Sequence, residues 1–266
     1  MKEIKYLFTD MDGTLLDSQK KISWRTRQRI TEFISRGGYF SVATGRSTEV
    51  SWPFIKDVGV NLPAILLNGA AIYDFQAKKY LHKTYLPQGC IKTVVDDVLS
   101  IYPQVCIEAF EEGAPDFLNK DCIMDHEVLA EGHEFHYKTL SSTPSYMKIL
   151  LYGENKELKK IEKHFRVSES TEFRYTFSSP HYLEILPLQA TKGDAMTRIS
   201  EKMGFSLEST AAIGDFNNDI EMLKCAGVSA APENGVEAVK TVADYIVPSN
   251  DKDAVACFIE KFCGAL

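Results

Sequence analysis

A single short segment near the amino terminus constrains the fold of this chain most: an apolar stretch that ends in two aspartates. Residues 6–14 read YLFTDMDGT, and the first of them have the character of a buried strand. Alternate strand residues share a face, so Asp10 and Asp12 would point the same way if the strand continued, and Gly13 indicates a tight turn instead. Two carboxylates at the end of a buried strand are costly without a cation between them. The segment predicts a divalent metal with oxygen ligands and a carboxylate left over for chemistry.

Two simpler interpretations of this segment are a plain turn and a calcium loop of the EF-hand type. The calcium loop does not fit, because its twelfth position is Lys21 rather than Glu and its sixth is Leu15 rather than Gly. A plain turn uses Asp and Gly readily, but it does not need so apolar a strand before it. A metal site at a strand end is therefore the stronger interpretation.

Composition narrows the class of protein. The 266 residues are 44% hydrophobic and 25% charged, with a net charge of −7, so a broad nucleic-acid footprint is not expected. The six cysteines form no C-x-x-C pair and read as reduced thiols of a cytoplasmic protein. No apolar run approaches membrane-spanning length, and the first residues lack a secretion signal. We expect a cytoplasmic monomer or small homo-oligomer with no nucleic-acid or membrane partner.

Polar residues follow successive apolar strands along the first part of the chain. Strand and helix patterns alternate up to a third strand at 64–67, which is the parallel α/β pattern. Ligands bind such sheets at the carboxyl ends of the strands, and Asp10, Thr44 and Asn68 each lie there. The three strand ends together predict a binding site.

The pattern changes near residue 80 and returns after Pro187. Between these points, helices at about 88–101 and 155–165 alternate with strands, the last two paired as in a hairpin. The predicted fold is a Rossmann-like, doubly wound parallel α/β sheet formed by residues 1–82 and 188–266. An α+β domain, residues 83–187, is inserted into it.

Two further polar segments belong to the returning α/β pattern. Thr191 is a predicted helix cap that puts Lys192 in the first helical turn, where a cation opposes the helix dipole. Two interpretations of Lys192 stay open: a solvated lysine or a cation aimed at an anion. Asp215, Asn218 and Asp219 follow another short apolar strand and share one face if the first turn is helical, which favours a metal and anion site.

These segments resemble the four ordered motifs of the haloacid dehalogenase-like (HAD) superfamily. The motifs are DMDGT at residues 10–14, TGR at 44–46, KG at 192–193 and GDFNND at 214–219. The long insertion is similar to a type IIB cap, as in the Cof-type sugar-phosphate phosphatases. The segments NGA at 68–70 and LEI at 183–185 also resemble that subfamily.

The resemblance implies catalytic roles. Asp10 would attack phosphorus to form an aspartyl-phosphate, and Asp12 would protonate the leaving alkoxide and then activate water. Mg²⁺ would be held by Asp10, the backbone carbonyl of Asp12, and Asp215. Thr44 and Lys192 would hold phosphoryl oxygens.

The resemblance also implies supporting roles. Asp219 would support the metal or orient the motif lysine, and Asn218 would assist at the phosphate or metal. We also expect substrate contacts from Gly45, Arg46 and Asn68. Glu184 is a weaker candidate for substrate contact, because a strand residue that faces solvent is the stronger interpretation of it.

The implied activity is a magnesium-dependent phosphatase for a small phosphorylated metabolite such as a sugar phosphate. Phosphatases and phosphomutases of the superfamily both carry an aspartate at the position of Asp12, so a phosphomutase is one alternative. A phosphate-ligand binding protein without turnover is another.

Overall fold

The computed structural model describes residues 4–130, 136–140, 145–168 and 171–263. The chain divides into two compact units: Met1–His82 with Ala190–Leu266, and Lys83–Gln189. No helix in the described ranges is both long enough and apolar enough to cross a membrane.

The elements are numbered here in chain order. The strands are β1 (Tyr6–Thr9), β2 (Tyr39–Val42), β3 (Ala64–Leu66), β4 (Ala71–Asp74), β5 (Lys79–Lys83), β6 (Cys106–Phe110), β7 (Asp116–Phe117), β8 (His136–Tyr137), β9 (Lys148–Tyr152), β10 (Phe173–Ser179), β11 (Tyr182–Pro187), β12 (Thr210–Ile213), β13 (Val228–Pro232) and β14 (Tyr245–Val247). The α-helices are α1 (Trp24–Ser35), α2 (Thr48–Ile55), α3 (Gln88–Ile101), α4 (His126–Ala130), α5 (Asn155–Ser168), α6 (Lys192–Met203), α7 (Ile220–Cys225), α8 (Glu237–Val242) and α9 (Ala254–Phe262).

A five-stranded parallel sheet lies at the centre of the larger unit, in the order β14-β13-β12-β1-β2. Its interior strand β1 is apolar on both faces because helices cover both, and Leu7 and Phe8 are fully buried. Thr9 pairs with Ile213 on one side and with Val42 on the other. The three strands therefore end side by side, and the residues that follow them meet at one edge.

Two groups of helices pack on this sheet, as a doubly wound fold requires. Helix α1 packs against α9, while α6, α7 and α8 pack against one another in turn. The second group shares an apolar core with the sheet through Phe8 of β1, Met196 of α6 and Met222 of α7. The Ser23 side chain caps α1 by accepting a hydrogen bond from the Thr26 amide.

Strand β3 departs from the predicted parallel arrangement. It touches β2 through the single parallel bridge Ala43–Ile65, and it pairs antiparallel with β4 in a separate three-stranded sheet, β3-β4-β5. The backbone reverses after β3 because Leu67 and Asn68 both adopt positive φ, 49° and 52°. Strand β3 therefore meets β2 in the predicted parallel direction, but at one bridge rather than along a full strand pairing.

The smaller unit is a six-stranded, mainly antiparallel sheet in the order β10-β11-β9-β6-β7-β8. Helices α3 and α5 share an apolar core with the residues of one sheet face, such as Ile107, Ile149 and Ile185. Side chains alternate along a strand, so Glu108 and Glu184, which pair with Leu150 from either side, share the opposite face. This unit is the α+β part of the fold.

Candidate active site

The site lies where β1, β2 and β12 end. Asp10 directly follows β1, and its amide donates to the Ile213 carbonyl of β12 over 2.9 Å. Thr44 and Asp215 each come two residues after a strand end. The parallel register thus brings together side chains that are far apart in sequence, at the edge where ligands bind in such sheets.

Lys192 is the centre of the charge arrangement. Its Nζ lies 2.6 Å from Asp10 Oδ1 and 2.6 Å from Asp219 Oδ1. The start of helix α6 positions Lys192 at this site. Thr191 caps the helix by accepting a hydrogen bond from the Asp194 amide at 2.8 Å, so Lys192 is the first helical residue. Its exposure is 0%, which rules out the solvated-lysine interpretation.

Burial by itself favours a neutral amine, but the carboxylates of Asp10 and Asp219 outweigh burial and raise the pKa of Lys192. The residue therefore stays a cation inside the protein. A buried ammonium next to two carboxylates can donate hydrogen bonds to phosphoryl oxygens when a ligand enters.

Three carboxylates crowd this cation. Ligand oxygens of Asp10, Asp215 and Asp219 all lie within 4.8 Å of one another. Burial, reinforced by Asp219 and Asp215, raises the pKa of Asp10 well above its ordinary value despite Lys192. Burial and Asp219 likewise raise the pKa of Asp215 to about 7. Oxygen ligands that disfavour one another's charge are the donor set that a hard divalent cation stabilises, so these residues fit Mg²⁺.

The turn after β1 holds Asp215. Thr14 donates its hydroxyl hydrogen to Asp215 Oδ1 over 2.7 Å. Gly13 has φ +76°, and a Cβ there would collide with the Asp215 carboxylate, so the turn requires glycine. The Asn234 side chain donates to the Gly13 carbonyl at 2.8 Å. We gave Thr14 no role from the sequence, although it stands inside the first motif.

Asp219 uses both of its carboxylate oxygens within the protein. Oδ1 meets Lys192, while Oδ2 accepts from the amides of Asp215 at 2.9 Å and Phe216 at 3.1 Å. Asn217–Asp219 form a 3₁₀ turn before α7, so Asp215 precedes the helix rather than opening it. These contacts favour the lysine-orienting role among the two predicted for Asp219.

Two cations hold Asp12. Arg46 donates from Nε to Oδ2 at 2.7 Å and from Nη2 to Oδ1 at 2.9 Å, and Lys20 Nζ lies 2.7 Å from Oδ1. Burial works against the charged form, but Arg46 and then Lys20 outweigh it and hold the pKa of Asp12 well below its ordinary value. Sequence reasoning missed Lys20, which lies outside the four motifs.

The remaining predicted phosphate-binding residues line up beside this group. Thr44 receives the Asn68 amide on its carbonyl at 3.0 Å and the Arg46 amide on its hydroxyl at 3.1 Å, with Gly45 between. Asn218 donates its side-chain amide to Asn68 Oδ1 at 3.0 Å. The other amide atom, Asn218 Oδ1, is buried with no hydrogen-bond partner in the described parts of the chain. An unsatisfied buried polar atom at this edge marks a place for a ligand.

Glu184 belongs to the smaller unit, and its predicted exposure to solvent is wrong. It is 2% exposed and lies 3.2 Å from the Lys148 ammonium. Glu108 shares its sheet face, and burial and then the Asp125 carboxylate raise the pKa of Glu108 well above its ordinary value. Tyr182 donates its hydroxyl to Asp125 at 2.8 Å. Glu108 and Glu184 share a sheet face because both pair with Leu150 of β9. The sequence periodicity does not show whether that face is exposed to solvent or covered.

Comparisons with known proteins identify the family of this chain. The family model of haloacid dehalogenase-like hydrolases matches residues 7–259. The Bacillus subtilis 5-amino-6-(5-phospho-D-ribitylamino)uracil phosphatase YcsE is 30% identical over 261 residues, which cover 96% of this chain and 94% of that protein.

Two solved structures share the whole fold. A haloacid dehalogenase-like hydrolase from Bacteroides thetaiotaomicron has a TM-score of 0.83 at 26% identity, covering 97% of this chain and 99% of that one. The subclass IIB sugar phosphatase BT4131 has a TM-score of 0.81 at 22% identity, covering 97% and 98%.

Proposed function

The chain belongs to the haloacid dehalogenase-like hydrolases and is a phosphatase of that superfamily, and we propose that it hydrolyses a small phosphorylated metabolite through an aspartyl-phosphate on Asp10. The observation that carries the proposal is the fully buried Lys192, whose Nζ lies 2.6 Å from Asp10 Oδ1 at the end of β1. A buried cation next to a carboxylate nucleophile offsets the repulsion that would otherwise keep a phosphate away.

The chemistry then runs in two steps at Asp10. Its carboxylate attacks phosphorus, an acyl phosphate bond forms, and the ester oxygen leaves as an alcohol after taking a proton from Asp12. In the second step Asp12 takes a proton from water, which attacks the acyl phosphate and releases inorganic phosphate and the free Asp10 carboxylate. Arg46 and Lys20 keep Asp12 charged without ligand. A phosphate that draws Arg46 toward itself would let Asp12 take up the proton it must donate.

Asp10, the backbone carbonyl of Asp12, and Asp215 would hold Mg²⁺, with Asp219 as the further predicted supporting residue. When bound, the cation would neutralise phosphoryl charge and align the phosphate with the nucleophile. Thr14 and Gly13 support this assignment, because they fix the Asp215 carboxylate toward the strand end. Thr44, Gly45 and Lys192 would then contact the phosphoryl oxygens, while Asn218 Oδ1, an acceptor, would face a donor group of the ligand.

We propose a sugar phosphate or a related polyol phosphate as the substrate. The relative YcsE is named for a phosphorylated ribityl compound, and BT4131 is named as a sugar phosphatase. We further propose that residues 83–187 form the cap domain that selects the leaving group, and that Arg46 and Asn68 contribute to that choice. The buried polar face of the smaller unit carries a cationic and an acidic hydrogen-bonding side chain, Lys148 and Glu184.

The test is phosphate release from p-nitrophenyl phosphate and a panel of sugar and polyol phosphates, with Mg²⁺ and with a chelator. Wild type is compared with Asp10→Asn and with the matched control Asp194→Asn, whose side chain is exposed on α6. We expect metal-dependent release that is lost in Asp10→Asn and kept in Asp194→Asn. Equal release by all three proteins would sink the proposal, phosphate moved between hydroxyls would indicate a mutase, and ligand binding without turnover a binding protein.

A further inference from the structure

A cavity lies in the larger unit, and none of the residues that line it is one of the three crowded carboxylates. It has a volume of about 290 Å³ and is bounded by the segment from Leu16 to Arg27 and by the end of α2. Its apolar wall includes the aromatic ring of Phe54 and the buried side chain of Ile22. The volume suits a compact organic molecule rather than a single ion.

The charge of the wall has one sign. Lys20, Lys21 and Arg27 line the cavity, and no acidic residue is among its lining residues. Arg27 donates to the backbone carbonyls of Ile22 at 3.3 Å and Asp57 at 3.5 Å, and Lys21 Nζ donates to the amide oxygen of Gln19 at 3.4 Å.

Those partners of Arg27 and Lys21 are neutral. Within the described ranges, neither side chain has a carboxylate at ion-pair distance, so the cavity presents two cations that no protein carboxylate pairs directly. A cationic wall beside an aromatic and aliphatic surface complements an anion carried on an apolar body.

The cavity is coupled to the phosphatase site through two residues. Lys20 lines it and places its Nζ 2.7 Å from Asp12 Oδ1. Phe54 also lines it, and the Arg46 guanidinium lies over its ring at 4.7 Å from the centroid. Both cations that hold Asp12 therefore touch the cavity or its wall.

We propose that this cavity is an effector site for a small organic anion, one carboxylate or sulfonate group on a planar apolar body. The anionic group binds Arg27, Lys21 and Lys20, and the planar body lies against Phe54. Occupancy draws Lys20 from Asp12 and so changes turnover. The binding part stands apart from the proposed phosphatase mechanism, whereas the effect on turnover rests on it.

The test uses naphthalene-1-sulfonate, which carries such an anion but no phosphate to transfer, titrated into the full chain by calorimetry. Each cation contributes a charge-assisted hydrogen bond, so we expect Arg27→Gln and Lys21→Gln each to weaken binding about tenfold. The control Lys56→Gln makes the same charge change at an exposed residue outside the cavity and should leave the affinity unaltered. Lys21 is exposed, so its variant keeps the test open if Arg27→Gln folds poorly.

No saturable binding at millimolar probe, or equal affinity in wild type and all three variants, would overturn the site. A second arm measures turnover while the probe is titrated. We expect turnover to change with a midpoint equal to the calorimetric Kd, and that midpoint to shift about tenfold in Arg27→Gln. Binding that follows the expected pattern while turnover stays constant at full occupancy would keep the site and overturn its coupling through Lys20.

Discussion

Replacing Lys192 by methionine tests the charge arrangement most directly. The ammonium lies between Asp10 and Asp219, whose side chains are 9% and 0% exposed, so its loss leaves two carboxylates buried without their cation. Breaking a buried ion pair from one side costs about 3–5 kcal/mol, because the remaining charge is desolvated and uncompensated. Methionine has a similar length, so the change in packed volume is small.

Proton uptake by the acids limits that cost. The pKa of Asp10 is already raised well above its ordinary value and that of Asp215 to about 7, and removal of the lysine raises both further. A carboxyl whose pKa is raised in the folded state binds protons more tightly when folded, so stability falls as pH rises through that pKa. We therefore expect the loss in Lys192→Met to be about 3 kcal/mol at pH 8 and clearly smaller at pH 5.5.

The assay is thermal unfolding in metal-free buffer at both pH values, with Lys202→Met as the matched control. Lys202 lies on the same helix but is exposed, so its variant should stay within about 0.5 kcal/mol of wild type. For a unit of this size, about 3 kcal/mol lowers Tm by roughly 10 °C. Mg²⁺ should raise the Tm of Lys192→Met by more than it raises the Tm of wild type. A bound cation stabilises the folded state by mass action, and in the variant it would bind carboxylates that no longer have the lysine as a counter-charge.

An equal Tm for Lys192→Met and Lys202→Met at pH 8 would refute the reasoning, since it would mean that the buried carboxylates do not depend on the lysine. A larger loss at pH 5.5 than at pH 8 would refute the pKa argument separately.

Three further predictions concern the turn after β1 and the smaller unit. Thr14→Val removes the 2.7 Å hydrogen bond to Asp215 at nearly constant volume, so half-activation should need about tenfold more Mg²⁺; an unchanged metal titration would contradict the role of Thr14. Gly13 and Gly37 both have positive φ, but a Cβ at Gly13 would collide with Asp215, whereas a Cβ at Gly37 would meet open space. We expect Gly37→Ala to cost only about 1 kcal/mol of stability and to keep activity. We expect Gly13→Ala to lose activity in addition to stability. Glu108→Gln mimics the protonated acid. Because the pKa of Glu108 is raised in the folded protein, the wild type loses stability as the pH rises above the ordinary pKa of a glutamate. In thermal unfolding the variant should therefore be more stable than wild type by about 1–2 kcal/mol at pH 8 and equally stable near pH 4, while the exposed control Glu111→Gln shows no such trend.

Local chemistry accounts for what could be predicted from the sequence. The cap at Thr191 depends on a hydroxyl within hydrogen-bond reach of the amide three residues on, so local spacing identifies it. Helix α3 has the predicted bounds 88–101 because its apolar periodicity repeats over several turns. The fold class followed from alternating strand and helix patterns with polar residues at the strand ends.

Other features depended on contacts between distant segments. From the sequence, Lys192 had two interpretations, and only the packing of α6 shows that it is buried against Asp10. Glu184 was predicted to face solvent, and only the pairing of β11 with β9 shows that it contacts Lys148. The pairing of β3 with β4 depends on positive φ angles at two consecutive residues. Leucine rarely adopts positive φ, so the residue type of Leu67 does not predict this turn. Lys20 reaches Asp12 by a loop geometry that no spacing rule encodes.

The sequence by itself therefore determined the fold class, the family motifs and the helix cap at Thr191, because residue type and local spacing act over a few bonds. The tertiary structure alone decided which charges are buried together and which are screened by water. That difference sets the pKa of each carboxyl, because desolvation and the nearest opposite charge both depend on how far-apart segments pack.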